Sequence, residues 1–142
     1  MFDASVSVTL PVDAATAFDY LVEPRNRPQW QSSLGGVDVL TPGPPGKGTR
    51  WVDRTKAGIR PEMVLAVVDR PTLWTEASNW HGLVATLTMS FEPVDDHTTT
   101  VHVAMVFDGP PWWQPVAALA ALAAPRAVRA DLARAGRILA SR

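Results

Sequence analysis

Four polar residues of the sequence are candidates for acid–base chemistry: Asp53, Arg54, Asn79 and His81. Removal of a proton next to a carbonyl group needs a base, and the enolate oxygen that forms needs hydrogen-bond donors. Asp53 could serve as the base, while Arg54, Asn79 and His81 could supply the donors. No spacing motif orders these four residues, so they are candidates by residue type and predicted position only.

Each candidate also has a simpler structural interpretation. Asp53 shares a predicted strand face with Trp51, and a carboxyl group in an apolar cavity would have a raised pKa. We favour the alternative that Asp53 pairs at the rim with one of three nearby arginines: Arg50, Arg54 or Arg60. His81 is next to Trp80 at a predicted hairpin tip, where a surface histidine is expected.

Several other chemistries have little support. The chain has no cysteine, which excludes thiolate nucleophiles and cysteine-based zinc sites. His97 and His102 have no partner at metal-ligand spacing, so we expect neither a metal nor a cofactor. There is no Gly-x-Ser-x-Gly nucleophile motif. The segment Gly43–Thr49 resembles a phosphate loop only superficially, because Gly48 separates Lys47 from Thr49 and a strand follows.

A larger set of apolar residues is predicted to line a ligand pocket. Flat aromatic rings and flexible thioethers adapt well to apolar ligands. Ordinary core packing is the alternative for the same set. The predicted ligand-binding residues are Trp51, Leu87, Met89, Phe91, Val103, Met105, Phe107, Trp112 and Trp113.

The length and the charge balance limit the class of protein. A chain of 142 residues fits one domain, residues 1–142, with a core that needs no disulfide or metal. The net charge of −1 leaves no broad basic surface for nucleic acid. No secretory signal is recognisable, and no apolar run approaches the ~20 residues that span a membrane. We therefore expect a cytoplasmic protein; a homodimer is compatible with the sequence.

The pattern of residues predicts one strand, two short helices, six strands and one long helix. Val6, Val8 and Leu10 alternate with polar residues, and a helix over Ala14–Val22 follows Asp13 as its N-cap. The remaining predicted elements are a helix around Gln29–Leu34, strands over Val37–Leu40, Thr49–Ala57, Ile59–Val68, Leu73–Trp80, Leu83–Glu92 and Thr99–Phe107, and a helix over Trp112–Arg142.

The last two strands show the clearest alternation. Leu87 lies on the apolar face of one, and Val103 on that of the other. Ile59–Val68 is apolar on both faces, so its inner face stays undetermined. In the final helix, Val128 and Leu132 begin an apolar stripe, and Pro125 is expected to bend the helix.

This order of elements resembles the helix-grip fold of the START/Bet v1-like (SRPBCC) superfamily, and within it the polyketide cyclase/dehydrase-like proteins. The resemblance rests on four segments taken in order. These are Val8–Phe18, Glu23–Trp30, Val68–Trp74 and Phe91–Val101. It implies an α+β fold in which a curved seven-stranded antiparallel sheet surrounds the C-terminal helix, with a ligand cavity between them.

Three functions follow as alternatives. The chain could bind a small hydrophobic molecule, such as a polyketide, lipid or aromatic compound, in that cavity. It could be a polyketide cyclase/dehydratase that needs no cofactor. It could also associate with a membrane surface, because Trp112-Trp113 precede an apolar run, Val116–Ala124, and four arginines. Proteins with this fold have many different activities, so the fold alone does not distinguish between these three alternatives.

Overall fold

A computed structural model describes all 142 residues of the chain. It contains one antiparallel sheet, two short helices and one long helix. The strands are β1 (Phe2–Leu10), β2 (Leu34–Val39), β3 (Arg50–Thr55), β4 (Glu62–Asp69), β5 (Leu73–Trp80), β6 (Leu83–Asp95) and β7 (Thr98–Asp108). The helices are α1 (Ala14–Val22), α2 (Arg27–Trp30) and α3 (Gln114–Ala140), with 3-10 turns at Pro24–Asn26 and Pro111–Trp113.

The seven strands form an open sheet in the order β1-β7-β6-β5-β4-β3-β2, and every neighbouring pair is antiparallel. The first strand therefore crosses over to pair with the last, placing Val6 opposite Val103. The predicted helix-grip fold is confirmed, with α3 packed against β1 and β7.

The predicted faces of β6 and β7 are confirmed. Met89 on β6 and Val101, Val103 and Met105 on β7 are buried at every second position, as one inward face of a strand requires. The ladder places Leu87 opposite Met105. This inner face carries the apolar core and one wall of the site described below.

A β-bulge explains why the strand before the Asp69–Pro71 turn is apolar on both faces. Met63 and Leu65 point inward and are buried, but the register of β4 with β5 shifts between Leu65 and Val67. The extra residue of a bulge reverses the alternation that follows it. As a result Val67 is exposed, while Val68 packs against the core.

The second helix is shorter than predicted. It ends at Trp30, and Leu34 begins β2 instead of continuing the helix. The prediction of a second short helix is confirmed, but its extension to Leu34 was wrong. Pairing with β3 places Leu34 opposite Thr55, and this pairing outweighs the local helix spacing. Both Trp30 and Leu34 are nonetheless buried.

The long helix α3 covers one end of the sheet with its C-terminal half. Leu132, Ala135 and Leu139 are buried there, as their spacing predicts. Pro125 lies inside α3, which continues on both sides of it. No helix is both long enough and apolar enough to cross a bilayer.

Candidate functional site

A recess of about 190 Å³ lies between the inner face of the sheet and α3. Its apolar wall comes from Trp30, Pro61, Met63, Leu87, Met89 and Val128. Its polar residues are Arg27, Gln31, Asp53, Glu76, Ser78 and Asp131. The recess thus combines a largely apolar wall with a small group of ionisable side chains.

Arg27 is the only cation of the recess and is 4% exposed. It is the first residue of α2, where the 3-10 turn at Pro24–Asn26 and the proline at position 28 direct the short helix against the sheet. Its Nη2 donates to Oε1 of Glu76 on β5 in a buried ion pair. Its guanidinium also lies over two indole rings, 5.2 Å from the centroid of Trp51 and 5.8 Å from that of Trp30.

Two hydrogen bonds from tryptophan indoles hold carboxyl groups in place at the polar end of the recess. On β3, Nε1 of Trp51 donates to Oδ1 of Asp53 at 2.9 Å; on β5, Nε1 of Trp74 donates to Oε1 of Glu76 at 3.1 Å. Each pair is two residues apart, so the period of a strand places both side chains on the inner face. The indoles anchor the two carboxyl groups inside the core.

The carboxyl group of Asp53 is not an ordinary surface acid. It is 4% exposed, and burial raises its pKa; the positive charge of Arg27 opposes that rise, and the negative charge of Glu76 adds to it. Asp53 forms no ion pair with Arg50, Arg54 or Arg60; the only one of these in an ion pair is Arg54, which lies 3.2 Å from Asp38. The favoured interpretation of Asp53 as a paired rim carboxylate was therefore wrong.

Asp131 brings a third carboxyl group from α3. Its Oδ1 accepts hydrogen bonds from the backbone N–H and the hydroxyl of Ser32, at 3.1 and 3.0 Å. These bonds tie α3 to the segment after α2. Asp131 therefore lines the recess and also links α3 to Ser32.

The other three predicted acid–base residues lie apart from the recess. Arg54 points to the opposite face of β3 and pairs with Asp38. Asn79, near the end of β5, accepts a hydrogen bond from the N–H of Gly82 at 3.1 Å. His81 occupies the exposed turn between β5 and β6 with a φ of 52°.

The predicted ligand-binding residues divide into three groups. Leu87 and Met89 line the recess, and Trp51 supports it through Asp53. The remaining strand residues, Phe91, Val103, Met105 and Phe107, belong to the apolar core or pack against it. Trp112 is 73% exposed, and Trp113 donates to the carbonyl of His81 at 2.8 Å.

The sequence interpretation missed Arg27, Glu76 and Asp131. One usable signal was present: Trp51-x-Asp53 and Trp74-x-Glu76 place the same polar pair at the same strand spacing. An indole that can reach a carboxylate two positions along a buried face marks that carboxylate as internal. No comparable signal identifies Arg27.

A family model matches the whole chain, residues 1–142; it is described as "Polyketide cyclase / dehydrase and lipid transport". No curated protein matches the sequence. The family resemblance proposed from the sequence is confirmed.

Solved structures with low sequence identity share the fold. A START superfamily protein from Mycobacterium smegmatis is 14% identical, with a TM-score of 0.78 over 98% of this chain and 99% of that one. The di-domain ARO/CYC BexL from the BE-7585A biosynthetic pathway is 17% identical, with a TM-score of 0.71 over 96% of this chain and 46% of BexL. Ara h 8.0201 is 12% identical, with a TM-score of 0.71 over 99% of this chain and 98% of that one.

Proposed function

Because the chain belongs to the polyketide cyclase/dehydrase and lipid transport family, we propose that it binds a small hydrophobic molecule in the recess between the sheet and α3. The observation that carries this proposal is the mixed lining: an apolar wall that includes Met63, Leu87 and Met89 faces a few anchored polar groups. Ligand sites in proteins have this balance, since apolar contact supplies affinity and a few polar groups set orientation.

The volume of the recess limits the size of the ligand. At about 190 Å³ it is smaller than the ~300–1,000 Å³ of sites for drug-sized molecules. An apolar cavity of ~150 Å³ is large enough for one benzene molecule. The recess therefore suits a single ring with a short side chain, and a longer polyketide or lipid would extend beyond it.

The test is binding of ethylbenzene, a one-ring apolar probe, measured by isothermal titration calorimetry and by the rise in melting temperature. Leu87→Trp places a large ring in the recess and is expected to abolish binding. Thr86→Trp is the matched control, because residue 86 lies on the same strand but points to the other face. We expect Thr86→Trp to bind like the wild type.

Two results would contradict the proposal. One is a wild-type chain that takes up neither ethylbenzene, at its solubility limit, nor any of the polar one-ring probes of similar size used below. The other is a folded Leu87→Trp variant that binds the probe as tightly as the Thr86→Trp variant.

A second candidate function, a cyclase, is favoured by the position of Asp53 beside Arg27 in the same recess. An internal carboxylate whose pKa is raised is a stronger base than a surface aspartate, and it is suited to take and return a proton. In an aldol closure it would take a proton next to one ketone, and the enolate carbon would attack a second ketone. The alkoxide formed there would take a proton and become a hydroxyl group. Loss of a second proton from the carbon that made the new bond, with departure of the hydroxyl group and a proton as water, would then form the C=C bond. BexL, a di-domain ARO/CYC, shares this fold.

Heptane-2,6-dione is a probe small enough to test the cyclase candidate. Its closure with loss of one water gives 3-methylcyclohex-2-enone, which is followed by ultraviolet absorbance. A cyclase would accelerate this reaction, and Asp53→Asn would remove the acceleration while leaving ethylbenzene binding nearly unchanged. Asp3→Asn, an exposed carboxylate at the sheet edge, is the charge-matched control. A rate equal to that in buffer would exclude cyclase activity on this diketone.

A further inference from the structure

The recess has more carboxyl groups than cations. Asp53, Glu76 and Asp131 line it, and Arg27 is the only basic residue that does. The one ion pair among these four side chains joins Arg27 to Glu76. Asp53 and Asp131 thus face the recess with no cation paired to either of them.

Most hydrogen-bond donor groups of the recess already have an acceptor in the chain, including Nε2 of Gln31, which donates to the Ser33 hydroxyl at 3.5 Å. Arg27 donates to Glu76 through Nη2 and to Gln31 through Nη1, the latter at 3.3 Å. Its Nε and the Nε1 of Trp30 have no acceptor in the chain, but both atoms are sealed from the recess by surrounding protein. The hydroxyl of Ser78 donates a hydrogen bond to the carbonyl of Ala85.

The carboxyl groups of the recess, by contrast, keep oxygen atoms that have no hydrogen-bond donor in the chain. Among the carboxyl oxygens of the recess, only Oδ1 of Asp53, Oε1 of Glu76 and Oδ1 of Asp131 accept hydrogen bonds from the chain. The second oxygen of each carboxyl group has no protein donor, and none of the three is among the fully enclosed unpaired atoms. Three free carboxyl oxygen atoms therefore border the recess, against one cation, Arg27.

A ligand bound in the recess must complement these carboxyl oxygen atoms that have no donor in the chain. A hydroxyl or ammonium group can donate to the oxygen atoms of Asp53 and Asp131, whereas a carboxylate would meet like charge in a partly dry site. A wholly apolar ligand would leave the same oxygen atoms desolvated without a partner.

On the basis of the proposed function, we propose that the recess selects small hydrophobic molecules whose polar end donates hydrogen bonds, such as an alcohol, a phenol or an amine. Carboxylates of the same shape are rejected. Asp53 is the residue expected to bind this end, because it is as buried as Glu76, keeps one free oxygen and, unlike Glu76, is not in an ion pair with Arg27.

Four probes of nearly equal size test this selectivity near neutral pH: ethylbenzene, 2-phenylethanol, phenethylamine and phenylacetate. Calorimetry is expected to show that 2-phenylethanol and phenethylamine bind more tightly than ethylbenzene. Because the carboxylate of phenylacetate is repelled by the carboxyl groups of the recess, phenylacetate should bind at least about tenfold more weakly than 2-phenylethanol.

Asp53→Asn keeps the shape of the recess but removes one negative charge. It should reduce the preference for phenethylamine over phenylacetate at least about tenfold, the factor expected from losing one close charge pair. Asp3→Asn changes the net charge equally, far from the recess, and should leave the preference unchanged.

The outcomes separate the two proposals. If ethylbenzene and the other three probes all fail to bind, the proposed function is wrong and this inference is overturned with it. If ethylbenzene binds but phenylacetate equals or exceeds 2-phenylethanol, only the head-group selectivity is wrong. A preference that survives unchanged in Asp53→Asn would overturn the role of Asp53.

Discussion

Replacement of Arg27 by methionine tests how the polar end of the recess is held. Methionine keeps an unbranched chain over the indole of Trp51 but removes the charge and every hydrogen-bond donor. Both side chains of the Arg27–Glu76 pair are only 5% exposed, so solvent screens them little. Removal of one partner of such a buried pair costs about 3–5 kcal/mol, because the other charge stays desolvated.

The loss of unfolding free energy caused by Arg27→Met is expected to depend on pH. Burial already raises the pKa of Asp53, and the charge of Arg27 is the larger of two influences that lower it, the other being the Trp51 hydrogen bond. Arg27→Met therefore raises that pKa further. A carboxyl group with a higher pKa in the folded than in the unfolded chain adds stability below its unfolded pKa. That contribution is lost as pH rises through the folded-state pKa. The variant should therefore lose more stability relative to the wild type at about pH 8 than at about pH 5.

Urea unfolding followed by far-UV circular dichroism at both pH values measures these differences. Arg70→Met is the control, because it removes an ion pair with Asp19 whose two side chains are more than half exposed. Such a pair contributes roughly 0–1 kcal/mol. An Arg27→Met loss below about 1 kcal/mol at pH 8, or a loss that is the same at pH 5, would refute the reasoning.

Three further predictions follow from the structure. Asp53→Asn should unfold at a higher urea concentration than the wild type at pH 8, and the gain should vanish towards pH 4, where the carboxyl group is protonated. By the same assay Val103→Ala should cost about 2–4 kcal/mol, and Leu87→Ala should cost less because its side chain borders the recess. If the exposed apolar face of α3 associates with membranes, the chain should co-sediment with phosphatidylserine vesicles. Replacing Leu119 and Leu122, which are 66% and 80% exposed, by glutamate should prevent this.

The alternation of apolar and polar residues was sufficient to predict much of the sheet. β5 has the predicted bounds, Leu73–Trp80, and the inner faces of β6 and β7 follow from period two. Alternation was insufficient in β4, where a bulge changes the face within the strand. It was also insufficient at Leu34, whose partner in β3 comes from a distant part of the chain.

The polar end of the site was only partly predictable for a related reason. Arg27 and Glu76 are 49 residues apart, and Ser32 and Asp131 are 99 apart. Nothing local to Arg27 distinguishes it from a solvated arginine, since only the packing of α2 against the sheet buries it. Asp53 was identifiable because Trp51 lies two positions earlier on the same strand face.

Nuclear magnetic resonance of the methionine methyl groups tests the ligand-binding recess most directly. The chain has four methionines, and only Met63 and Met89 line the recess, whereas Met105 lies in the core and Met1 at the terminus. With ¹³C-methyl methionine, added ethylbenzene should shift the Met63 and Met89 signals strongly through the ring current of the probe. Met105 should shift less, and Met1 should not move. Unchanged Met63 and Met89 signals at saturating ethylbenzene, or shifts confined to Met1 or Met105, would contradict the account.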